Sequence, residues 1–233
     1  MSNYLKVNDF TTKGLRNCVV VDFGIIRSAT PRFSEQLKPF GMNGSYNQEE
    51  GAYESYERTI RIFFERFSDL ATLIEKFNTV GNQLEFSNQP DSLFYADFLD
   101  TEITQKGMYG WELAIKLDMQ PFRYPKNIEP VVFSSGGTID NIGTVHSEPV
   151  IEIEGNGDVS LTIGQKTMHL TVNNKATIDC RQRKQNIYNA TGAVQNTLRK
   201  RGGFFEIPVG QSGVTFTGNV RKVTIRPNWR YKV

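Results

Sequence analysis

His146 and His169 are the only two imidazoles in this 233-residue sequence. Nucleophilic catalysis needs a Ser, Cys or Thr beside a base, with a third group to orient that base. Neither histidine stands in a GxSxG or HExxH context. His146 lies in the turn-like run Gly143-Thr144-Val145-His146-Ser147 and His169 in a strand-like one, so both read as structural histidines. Cys18 and Cys180 are far apart and belong to no CxxC or Cys/His cluster. With the two histidines they give no recognisable zinc site. They read as reduced, buried thiols, with a disulfide between them left open. Cleaving a glycosidic bond takes two facing carboxylates. Glu49 and Glu50 are adjacent, so in an extended chain they point in different directions. Gly155-Asn156-Gly157 follows a strand but precedes no helix, and reads as a hairpin turn, not a phosphate cradle. No catalytic, cofactor-binding or metal residue is assigned, and no cofactor is expected.

Two basic clusters stand out, Arg181/Arg183/Lys184 and Arg199-Lys200-Arg201. Neither is interleaved with aromatic residues, and 27 basic against 25 acidic residues leave a net charge of only +2. Specific nucleic-acid binding normally brings both a positive field and stacking rings. The clusters read as solvated loops or as contacts to an acidic partner surface. The start MSNYLKVNDF lacks the apolar core of a secretory signal, and no apolar run approaches the ~18 residues of a membrane span.

A chain of this length buries roughly 70–75% of its unfolded surface and needs no metal or disulfide to fold. Pro121, Pro125 and Pro130 divide it, marking 121–130 as a stiff connector. Before them the reading is mixed. Asn17–Ile26 and the first part of Glu57–Phe67 read as strands. Ser68–Gly81 reads as a helix, with Leu70, Leu73, Ile74 and Phe77 on one face. Ser68 is its expected N-cap, with Asp69 in the first turn and Gly81 as the closing residue. Strand-like runs follow at Gln83–Ser87, Ser92–Leu99 and Tyr109–Leu117. Between Arg27 and Glu57 lies a long polar segment with weak periodicity. It reads either as a disordered loop or as an arm that orders against a neighbouring subunit. From about residue 131 the sequence reads as all-β, with runs at Val150–Glu154, Val159–Ile163, Met168–Val172, Ala176–Cys180, Val214–Thr217 and Val220–Ile225. The breaks at 155–158, 173–174 and 218–219 are expected to be hairpin turns.

The order of motifs resembles the siphophage distal tail protein (Dit) family. The second half carries Asn141-x-Gly143, Ser147-x-Pro149, Ile151-x-Ile153-x-Gly155-x-Gly157, Ala176-Thr177-Ile178-Asp179, Ile207-Pro208-Val209-Gly210 and Val223-x-Ile225-x-Pro227-x-Trp229-Arg230. The first half carries Pro39-Phe40-Gly41-Met42-Asn43-Gly44 ahead of Gly51–Phe64, and Pro121-Phe122-Arg123-Tyr124. The resemblance covers nearly the whole chain. It implies a mainly β protein: a ring-forming N-terminal β-rich domain over 1–125, with one α-helix and a long hairpin arm at about 27–47, and a galectin-like β-sandwich over 131–233. It implies a non-enzymatic homo-hexamer at the tail tip of a virion, made in the host cytoplasm. The ring would join the tail tube protein to the tail-associated or baseplate hub protein, with receptor-binding proteins as further partners. The HxNxR cluster of sugar-binding galectins is not matched around His169, and Trp229 lies near the chain end. A carbohydrate-binding adhesin is the alternative class, and a peptidoglycan hydrolase a third.

Overall fold

The computed structural model describes residues 3–38, 40–41 and 43–232. The fold is mainly β with a single α-helix among these residues. It forms two compact units, Met1–Arg123 with Lys232–Val233, and Tyr124–Tyr231.

The first unit begins with β1 (Leu5–Val7), β2 (Phe10–Thr11) and β3 (Val19–Asp22), the last shorter than the run Asn17–Ile26 suggests. Next come β4 (Pro31–Leu37), β5 (Tyr46–Tyr53) and β6 (Tyr56–Phe64). Then follow α1 (Phe67–Glu75), β7 (Asn82–Phe86), β8 (Ser92–Gln105), β9 (Trp111–Met119) and β10 (Phe122–Pro125). The main sheet runs β2-β1-β7-β8-β9-β6-β3, and β10 and β18 (Tyr231–Lys232) extend it off this path. Strand β6 alternates strictly, burying Tyr56, Arg58, Ile60, Ile62 and Phe64 on one face. Its nine residues pair in continuous register with β9, from Tyr56 opposite Met119 to Phe64 opposite Trp111. Helix α1 buries Leu70 and Leu73 on that core with Ile74 at its margin, as the 3.6-residue stripe predicts, and Phe77 packs there from just beyond the helix end.

The helix boundaries differ from expectation. Arg66, in extended geometry, is the N-cap and makes no side-chain capping bond. Ser68 already lies in the first turn, and its carbonyl accepts a bond from Thr72 Oγ1 at 2.8 Å. The helix closes at Lys76, and Gly81 sits beyond it at φ +75° in a turn where its N–H donates to Asp97. The proline-rich connector is also shorter than expected. Residues 122–125 form β10, which pairs with β8 and β18.

The second unit holds β11 (Val131–Phe133), β12 (Gly137–Asn141), β13 (Val150–Ile163) and β14 (Lys166–Asp179). After these come β15 (Asn186–Tyr188), β16 (Arg199–Arg201) and β17 (Gly210–Arg226). Its sheet runs β11-β17-β13-β14-β15, with β12 on β17 and β16 on β14. The three expected hairpin turns are not turns. Each lies inside one of the long strands, and the pairing aligns them: Gly155 opposes Asn174 and Val220, and Asn156 opposes Asn173 and Asn219. The β13–β17 register shifts on both sides of this line. Together the three breaks form a transverse crease made of bulges. Gly157, Asn174 and Gly218 have positive φ there, and a Cβ on Gly218 would stand 2.4 Å from the Asp158 carbonyl. Gly and Asn tolerate positive φ in a bulge as well as in a turn, which is why the local signal misleads. The true β13–β14 turn is Gly164-Gln165. One cluster buries Ile151 and Ile153 from one side of the crease with Val159, Leu161 and Ile163 from the other. The bent sheet thus encloses a single core.

Candidate assembly surfaces

The segment of weak periodicity between Arg27 and Glu57 is a two-stranded antiparallel hairpin, β4–β5. Its strands run to Tyr53, beyond the arm limit of 47, and Pro39 and Met42 near its tip lie outside the described residues. The hairpin belongs to neither large sheet. Phe33, Leu37, Phe40 and Tyr46 are all exposed, Phe40 fully so. Glu49 and Glu50 lie on β5 among exposed residues, and Glu50 stands 3.9 Å from Arg32, which also meets Glu54 at 3.3 Å. Glu50 and Glu54 thus share Arg32 in an ion-pair cluster along the hairpin.

The segments that flank the hairpin are tied to the core of the first unit. Arg58, 1% exposed in the core, donates through Nε to the Phe23 carbonyl at 2.6 Å, and its guanidinium stacks 4.3 Å from the Phe86 ring centre. Burial lowers its pKa from the ordinary guanidinium value. Gly24, at φ +72°, lies so close to β6 that a Cβ would stand 2.2 Å from the Thr59 carbonyl. On the returning leg, Tyr53 packs edge-on against Phe122 at 5.3 Å, under the Lys232 ammonium. Further exposed apolar groups stand on edge strand β3 (Val19 and Val21) and around the β8–β9 hairpin, where Leu99, Ile103, Met108 and Tyr109 reach solvent.

The other residues with chemical potential are scattered. Cys18 and Cys180 are free thiols, each buried in its own unit. Burial pushes their pKa up to about 11 and about 12. Burial and the nearby Arg230 charge lower the pKa of half-buried His146. Its carbonyl accepts from Arg230 Nε at 2.9 Å, and Arg230 also pairs with Glu148 at 3.0 Å, both side chains under 10% exposed. His169 is solvent-exposed on β14, opposite Arg201. Arg181 is engaged bidentately by Asp179, at 2.9 and 2.6 Å, and the Arg199 guanidinium lies 5.0 Å from the Phe204 ring centre. The described residues bring no three metal-ligating side chains together. Sequence reasoning singled out the arm but not the exposed Phe33, Phe40 and Tyr46 that it carries.

No family model and no curated protein matches the chain. Among solved structures it is similar to the Dit (gp 19.1) protein of SPP1, described as a paradigm of the hub adsorption apparatus in phages infecting Gram-positive bacteria. The superposition covers 100% of both chains with a TM-score of 0.63 at 11% identity. The chain has a Dit-like fold. That likeness spans both units of the Dit-like chain, including the segment that carries the hairpin.

Proposed function

We propose that this chain is a structural component of a phage tail tip: a distal tail hub that assembles as a homo-hexamer and makes or breaks no bond in a substrate. The observation that carries the reading is the arm. An isolated two-stranded hairpin is marginal in water. This one presents Phe33, Leu37, Phe40 and Tyr46 to solvent while its root is anchored by Arg58 and Tyr53. Such a hairpin gains its stability by covering those residues on another surface. In a ring, that surface is the neighbouring copy, reached head to tail.

In this reading the unit over 1–125 forms the ring, and the unit over 131–233 is a galectin-like β-sandwich. The ring joins the tail tube protein on one side and the tail-associated or baseplate hub protein on the other. Receptor-binding proteins are a further class of partner in this reading. Stable contacts of this kind bury roughly 1,200–2,000 Å² in total, within reach of one arm and one sheet edge such as β3. Negative-stain imaging and multi-angle light scattering of the purified chain test the reading. A six-fold ring with a central hole, near six times 26.5 kDa, is expected. A monomer at every concentration, with tail tube protein present, would refute it.

A further inference from the structure

The solvent face of the second unit changes character at the crease. On the side of Ile151 and Ile153, acids and bases alternate and saturate one another. Glu152 meets Lys175 and Arg226, and Glu154 meets Arg221 and Lys222. On the side of Leu161 the same face is built of hydroxyls. Thr217, Ser160, His169 and Arg201 stand opposite one another across β17, β13, β14 and β16. The neighbouring row pairs the Thr162 and Thr167 hydroxyls at 2.9 Å.

A shallow, open depression lies here, lined by Asp158, Ser160, His169, Lys200 and Thr217. Its floor is the backbone above Val159 and Leu170, whose side chains are buried at 4% and 1% exposure. Lys200 and Arg201 are exposed, and among the described residues neither shares an ion pair. Arg199 is turned away onto Phe204. Asp158 is oriented by Thr171, whose hydroxyl donates to it at 2.6 Å.

The lining discriminates among ligand classes. A protein partner would want an aromatic or large apolar anchor at the centre, and the apolar lining residues here are buried. A nucleic acid would want rings to stack on, and the groove has none but the imidazole. Hydroxyl side chains both donate and accept, and a carboxylate accepts from hydroxyls. Unpaired lysine and arginine side chains suit a phosphate or carboxylate. We infer that this groove binds an anionic polyol, a short chain of hydroxyls bearing a phosphate or carboxylate, with the anion at Lys200 and Arg201 and the hydroxyls along Ser160, Thr217 and Asp158. The inference rests on this face alone and does not depend on how copies of the chain assemble.

Saturation-transfer NMR of the full chain tests it, using glycerol 2-phosphate and gluconate against glycerol and inorganic phosphate at millimolar concentration. Both anionic polyols should take up saturation more strongly than glycerol or phosphate alone, and less so as salt is raised. The double variant Lys200→Ala/Arg201→Ala should weaken them about tenfold, and Ser160→Ala about threefold, as expected for losing charge-assisted and neutral hydrogen bonds respectively. Both changes are on the surface, and an unchanged melting temperature checks that the fold persists. No saturation transfer, phosphate binding as strongly as its polyol ester, or full binding by the double variant would each overturn the inference. DNA or an acidic protein that binds through Lys200 and Arg201 and is not displaced by the polyols would also overturn it.

Discussion

Among the described residues, thirteen large apolar side chains stand exposed in the first unit, while in the second only Val132, Ile142, Val194 and Val209 do. The second unit instead covers its solvent face with ion pairs on one side of the crease and hydroxyls on the other. Both units close a core of similar character, so the contrast lies in how each leaves its outside. Apolar groups concentrated on a hairpin, a sheet edge and a strand extension are the features that the proposed assembly would cover. The polar, internally paired face of the second unit leaves little apolar surface for other chains to cover.

The largest effect expected from breaking this contrast is on assembly. Phe33→Ser/Leu37→Ser/Tyr46→Ser should convert rings to monomers by light scattering, a loss of at least about 4 kcal/mol per interface. The melting temperature of the monomer should barely move, because these side chains touch no core. If the triple variant stays hexameric, the arm does not hold the ring.

Next, Glu148→Ala should destabilise the second unit by about 3–5 kcal/mol in denaturant unfolding. It strands Arg230 in a site where both partners are buried. Ring formation should persist. Gly218→Ala should cost about 2–3 kcal/mol, since the residue sits at φ +97° and a Cβ would meet the Asp158 carbonyl. Gly157→Ala, at φ +82° with open space around it, should cost only about 1 kcal/mol. Equal costs would mean that the crease is not tightly packed.

The smallest effects belong to the ion-paired face. Glu152→Gln, removing the partner of Lys175 and Arg226, should change stability by less than about 1 kcal/mol. The bonds from Lys222 and Arg221 lower the Glu154 pKa to about 2, from 4.5. Its folded pKa lies below its unfolded one, so its contribution is complete above pH 4.5 and fades as the pH falls toward 2. A thermal melt across that window should soften less in Glu154→Gln, and less in high salt.

Parts of this were legible before folding. The amphipathic stripe of α1 and the alternation in β6 and β9 are burial patterns, and burial patterns are local. The crease was misread because positive-φ residues serve turns and bulges equally. Only the pairing shows that Gly155 and Asn174 lie equally far from the turn at Gly164-Gln165. The arm gave no strand signal for a physical reason. A hairpin exposed on both faces has no inside, so nothing selects an alternating pattern. The groove was hidden because Ser160, His169, Lys200 and Thr217 come from four strands and meet only through register.

The anchoring of the arm at Arg58 and Tyr53 also has a mechanical side. Tyr53 is separated from Tyr56 by only two residues, and from there β6 is paired with β9 without interruption. A pull on the hairpin therefore reaches that ladder almost directly, with little slack to absorb it. All nine opposed residues of β6 and β9 would share such a load in shear, which carries it into the middle of the sheet.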